Sequence, residues 1–81
     1  MEIKVLGTGC RKCKALEDNV RQAVSELGIM ADVDKVTDLL EIMEFDILMT
    51  PGLAINGEVK VSGRLPDVEE IKKLIETELS K

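Results

Sequence analysis

The sequence predicts an α/β fold in which a four-stranded mixed sheet carries helices on both faces, and three observations predict it. An apolar run at residues 3–6 is followed by a long stretch with apolar residues every three or four positions, then by a second strand-like run. That succession describes a βαβ unit with parallel strands and a right-handed crossover. In the second half, Asn56-Gly57 between two strand-like runs marks a hairpin, and a last amphipathic stretch reads as a helix. The predicted order is β-α-β-α-β-β-α, with the first two strands parallel and the last two antiparallel.

Residues 2–6 are apolar at Ile3, Val5 and Leu6, the near-continuous pattern of a central strand covered on both sides. From 11 to 27 the apolar positions are Cys13, Leu16, Val20, Ala23, Val24 and Leu27, which form one buried stripe on a helix. Glu17, Asp18, Arg21, Gln22 and Glu26 are assigned to its wet face. Gly28 suits the left-handed position that closes a helix. Residues 29–36 read as a second strand, less apolar and so placed nearer the sheet edge. Thr37 or Asp38 can cap a short helix over 39–45 that carries Leu39, Leu40, Ile42 and Met43. A loop over 46–52 ends in Met49-Thr50-Pro51-Gly52. The hairpin strands are 53–55 and 58–62, where Val59 and Val61 alternate with polar neighbours. Gly63-Arg64-Leu65-Pro66 breaks the strand. Asp67, with Glu70 three residues later, resembles a capping box ahead of a last helix carrying Val68, Ile71, Leu74, Ile75 and Leu79.

Eighty-one residues build one core, so residues 1–81 are read as a single domain. With Phe45 the one aromatic residue, aliphatic side chains must fill the interior, and the four methionines are expected to fill its gaps and loops. No run approaches the ~18 apolar residues of a membrane span. Glu2 and Lys4 interrupt the first apolar stretch, unlike a secretory leader. The expected setting is cytoplasmic, with no membrane partner, and a monomer is expected. The net charge of −5 opposes non-specific nucleic-acid binding, and a single aromatic gives no stacking platform. No cofactor motif is present. Asp32/Asp34 and Glu69/Glu70 are read as solvated faces.

The chemistry is concentrated in Gly7-Thr8-Gly9-Cys10-Arg11-Lys12-Cys13, between the first strand and the first helix. Cys10 falls at the helix start and Cys13 about one turn on, facing the same side. Free N–H groups and the positive end of the helix favour a thiolate there, and such a position lowers a cysteine pKa from about 8.5 toward roughly 3.5–7.5. Arg11, Lys12 and Lys14 add positive charge within four residues of Cys10. They are either a solvated first turn or groups that stabilise the thiolate and attract acidic partners, and the two roles are compatible. A disulfide enclosing two residues would constrain the unfolded chain little, so redox or metal chemistry is the better use of the pair.

The ordered set of strand, Gly-Thr-Gly-Cys-x-x-Cys, helix, strand, short helix, Thr-Pro, Asn-Gly hairpin and terminal helix resembles a minimal thioredoxin fold, across nearly the whole chain. It is similar to the small thioredoxin/glutaredoxin-like redox-active disulfide proteins of archaea and bacteria. The resemblance implies a thiol–disulfide oxidoreductase in which Cys10 is the exposed nucleophile and Cys13 the more buried resolving thiol. It implies a disulfide-bearing protein substrate and an upstream reductase as partners. Thr50-Pro51 matches the family's cis-proline position, where the residue before the proline pairs with an extended substrate. Gly63 matches a small residue that lets substrates approach. The sequence departs from thioredoxin itself in carrying Arg11-Lys12 between the cysteines, in lacking a Trp before Cys10, and in placing Lys4 at the offset where thioredoxin buries an acid.

A soft-metal carrier is the alternative, because the same motif also resembles the Met-x-Cys-x-x-Cys loop of copper-transporting ferredoxin-like domains, whose two thiolates hold Cu(I). Thr8 stands where that motif has Met. Those domains also end in a strand, whereas this chain is predicted to end in a helix. A structural zinc site needs four ligands, and the sequence has no His and no second cysteine pair.

Overall fold

A computed structural model describes residues 1–47 and 49–81. Of the loop predicted over 46–52, Leu48 lies outside the described residues. The elements run β1 (Glu2–Leu6), α1 (Arg11–Leu27), β2 (Asp32–Val36), α2 (Leu39–Met43), β3 (Gly52–Ile55), β4 (Glu58–Ser62) and α3 (Val68–Leu79). The strands form one mixed sheet in the order β2-β1-β3-β4. β1 pairs parallel to β2, with Leu6 opposite Val36, and antiparallel to β3, with Val5 opposite Leu53; β3 and β4 form the antiparallel hairpin.

Alternation along β1 and β3 divides the interior in two. Ile3, Val5, Leu53 and Ile55 face α1 and α3, packing with Leu16, Val20, Ala23, Ile71 and Ile75. Leu6 and Ala54 face the other way, against Val36, Ile42 of α2, Ile47 and the half-buried Phe45. β1 is central because it must serve both layers, which is why its sequence is so nearly continuous in apolar residues. Lys4 points into the thinner layer, with its ammonium 5.8 Å from the centre of the Phe45 ring. No helix of the described residues is long and apolar enough to cross a membrane.

Local sequence accounts for most ends. Gly28 closes α1 in the left-handed conformation, and its N–H donates to the Val24 and Ser25 carbonyls. The Asp38 side chain, rather than Thr37, caps α2 by accepting from Leu40 N at 2.8 Å. Asn56 and Gly57 both take positive φ, as a two-residue hairpin turn requires. At α3 only half of the predicted capping box forms: Asp67 accepts from Glu70 N at 2.8 Å, while the Glu70 carboxylate is drawn outward to Arg64.

Other expectations need correction. β2 begins at Asp32 rather than at 29, because its partner β1 starts at Glu2, opposite Asp32, and leaves residues 29–31 nothing to pair with. α2 stops at Met43 rather than 45: the N–H groups of Glu44, Phe45 and Asp46 each reach back three residues, a tightening coil that ends at positive φ on Asp46. Three of the four methionines are not interior filler, since Met30 is 94% exposed and Met43 and Met49 also lie on the surface, whereas Met1 is partly buried against the larger core. Of the apolar residues of α2, only Ile42 is buried. Glu17, assigned to the wet face of α1, has a side chain only 15% exposed. β4 carries a bulge: Val61 pairs with Leu53 and Val59 with Ala54, so Lys60 is the extra residue.

Candidate active site

The motif is held where β1 runs out and α1 begins. Gly7 N–H donates to the Val36 carbonyl at 3.0 Å, tying the loop to the end of β2. Cys10 is the N-cap residue of α1, in extended conformation, and its Sγ accepts from Cys13 N at 3.3 Å. Helical spacing brings the two Cα atoms to 5.0 Å, and the sulfurs are joined as a disulfide. The cysteines differ in accessibility: Cys10 is exposed, whereas Cys13 is only 5% exposed and belongs to the core-facing stripe of α1. A reagent in solution therefore meets Cys10 first.

Gly7 sits where three parts of the site converge. A Cβ built on it would lie 2.9 Å from Cys13 Cβ and 4.0 Å from Thr50 Cβ. Both the buried cysteine and the 50–51 segment thus pack against the same stretch of bare backbone. The Thr50–Pro51 peptide is cis. Pro51 is buried, and its carbonyl accepts from Gly63 N at 2.9 Å; Ser62 Oγ donates to the Met49 carbonyl at 3.2 Å. The end of β4 thereby clamps the segment that enters β3. Gly63 has a backbone reason to be glycine, with φ +80° and space for a Cβ limited by Met49 Cβ at 3.0 Å.

Arg11, Lys12 and Lys14 are exposed on the first turn of α1, and among the described residues none lies within ion-pair distance of a carboxylate. Beside the disulfide, between α1 and the end of β2, lies a cavity of about 230 Å³ whose lining includes Val5, Cys13, Lys14, Glu17 and Lys35. Gly7 belongs to the motif read from the sequence but was given no role there, and Glu17 was not placed at the site. A signal for Glu17 was present in its spacing, four residues after Cys13 and therefore on the same helix face. Among the described residues no group of three or more His, Cys, Asp or Glu side chains is arranged to hold a metal. α2 lies between β2 and β3 and α3 follows the β3–β4 hairpin, an element order unlike that of a ferredoxin-like carrier, and nothing among the described residues supports the metal-carrier alternative.

A mixed sheet of this order, with a helix whose first turn bears a Cys-x-x-Cys pair able to close on itself, defines a thiol–disulfide oxidoreductase. Residues 1–76 match the family described as Thioredoxin domain. Thioredoxin from Methanothermobacter thermautotrophicus is 47% identical over 75 residues, covering 93% of this chain and 97% of that protein. Thioredoxin from Methanocaldococcus jannaschii is 46% identical over 77 residues, covering 95% of this chain and 88% of that protein. The chain belongs to the thioredoxin domain family. Its partners are accordingly disulfide substrates and a reductase.

Proposed function

We propose that Cys10 is the attacking thiol and Cys13 the resolving thiol in two-electron exchange with protein disulfides. The Cys10 thiolate attacks one sulfur of the substrate disulfide, forming a Cys10–substrate bond and expelling the other sulfur as a thiolate. Cys13 then attacks Cys10 Sγ, the Cys10–Cys13 bond forms, and the second substrate sulfur leaves. The observation that carries this reading is the contrast between an exposed Cys10 at a helix N-terminus and a buried Cys13 one turn further on.

In this reading Thr50 and Pro51 present backbone to an extended substrate segment, and Gly63 leaves room for it. Support comes from the packing of Thr50 against Gly7 and the bond from Gly63 N–H to the Pro51 carbonyl. Arg11 and Lys12 stabilise the Cys10 thiolate, supported by their exposure and freedom from ion pairs among the described residues. We further propose that residues 1–81 act as one domain, as a monomer in the cytoplasm, where a reducing pool returns the pair to the dithiol.

Incubation of Cys13→Ser with a disulfide-bonded test protein should accumulate a mixed disulfide through Cys10, read by non-reducing mass analysis. Cys10→Ser should accumulate none. Trapping by Cys10→Ser instead would reverse the assignment. In dithiol redox buffers the wild-type pair should show a reversible two-electron transition within roughly −200 to −270 mV.

A further inference from the structure

In its attack on Cys10, Cys13 reacts as a thiolate, and a buried thiol holds its proton more tightly than a free one. Cys13 is only 5% exposed and is packed against Gly7, with little of it open to bulk hydroxide. It lines the cavity between α1 and β2, and among the described residues Glu17 is the one carboxylate in that lining. The two residues are a helical turn apart on one face of α1, with Cβ atoms about 6 Å apart in such an arrangement. Glu17 is held rather than loose. Its Oε2 accepts from Arg21 Nη2 at 3.0 Å and Nε at 3.2 Å, and its Oε1 lies 3.8 Å from Lys35 Nζ. Oε1 therefore has no hydrogen-bond donor among the described residues. The cavity, at about 230 Å³, holds several waters at roughly 30 Å³ each.

We propose that Glu17 accepts, through water in this cavity, the proton that Cys13 loses as it attacks the mixed disulfide. The Cys13 S–H bond breaks and a Glu17 O–H bond forms; the Cys10–Cys13 bond forms and the Cys10–substrate bond breaks. The electron pair leaves on the substrate sulfur, and Glu17 later returns its proton to solvent. Lys14 and Arg21 of α1 and Lys35 of β2 are the other charged groups facing this carboxylate, while Val5, Gly7, Gly9 and Thr37 around the cavity are neutral. Lys14 and Lys35 favour the Cys13 thiolate once it has formed. The proposal rests on the assignment of Cys10 as attacker and Cys13 as resolver.

Reduced protein mixed with one equivalent of an aromatic disulfide that yields a coloured thiolate separates the two steps. The first thiolate released reports attack by Cys10, and the second reports attack by Cys13. Glu17→Gln should leave the first phase unchanged and slow the second by about tenfold or more near pH 7. The gap should close near pH 10, where hydroxide removes the thiol proton without help. Arg21→Gln, which breaks the same ion pair but keeps the carboxylate, should retain a fast second phase. A second phase unchanged in Glu17→Gln, or slowed equally at every pH, would overturn the role of Glu17 and leave the cysteine assignment standing. A wild-type protein that releases only one thiolate would overturn both.

Discussion

At the scale of single residues, the site depends on one glycine and a few exposed charges. A methyl group on Gly7 would meet Cys13 Cβ at 2.9 Å, and Cys13 Cβ is fixed by the backbone of α1, so neither atom can swing aside. Gly7→Ala should therefore lower stability by about 1–3 kcal/mol, the usual cost of overpacking, seen as an earlier midpoint in urea. An unchanged midpoint would mean that the loop is slack enough to absorb the methyl. The charges of Arg11 and Lys12 act more weakly. Each exposed charge contributes about 0.2–1 kcal/mol, so neutralising both should raise the Cys10 pKa by about 0.3–1.5 units, measured as iodoacetamide reactivity against pH. The effect should fade in high salt. If the Cys10 pKa does not move, the helix terminus alone sets it.

At the scale of elements, the residues that bound each helix and strand were readable because their reasons are local. Gly28, Asp67 and Asn56-Gly57 act through their own backbone or side chain, and each sits where the sequence placed it. The misplaced ends have causes that the pattern of residue types does not carry. β2 could not be bounded without knowing that β1 begins opposite Asp32, and α2 could not be bounded without the tightening coil that leads to Asp46. Glu70 shows the same division. Its spacing from Asp67 predicts a reciprocal cap, but Arg64 offers a charged partner at 2.8 Å and takes the carboxylate. Asp67→Ala should thus cost about 1 kcal/mol by losing the bond to Glu70 N, measured by urea unfolding. Glu70→Gln should cost less, because its partner is an exposed arginine rather than a helix N–H.

At the scale of the whole molecule, the dithiol was legible because two cysteines and a helix start are adjacent in sequence, whereas the cavity was not, because Lys35 reaches it from β2 across the fold. The same long-range joining governs how stability should follow pH. Hydrogen bonds from lysine or arginine hold Glu58, Glu70 and Glu78 below the ordinary carboxylate value of 4.5, and Gln22 followed by Lys72 does so for Glu26. A carboxylate with a lowered folded pKa stabilises the fold above its unfolded value and loses that contribution as pH falls through the folded one. Lys60 and Lys72 are raised from 10.5, chiefly by hydrogen bonds to Glu58 and Glu26, so their share is present below 10.5 and lost as pH rises further. Net charge pulls the other way on the acid side. At −5 near neutrality the chain repels itself, and that repulsion vanishes near the isoelectric point of about 4.7. Two outcomes are therefore separable. If overall repulsion governs, the urea midpoint of the oxidised protein should peak near pH 4.7. The pairs join separate elements, Glu78 of α3 to Lys60 of β4 at 3.2 Å and Glu26 of α1 to Lys72 of α3 at 3.1 Å, whereas the excess charge is spread over the surface and screened. The midpoint should accordingly stay level from about pH 10 down to about pH 5 and fall below about pH 4.5, with a shallower fall in molar salt.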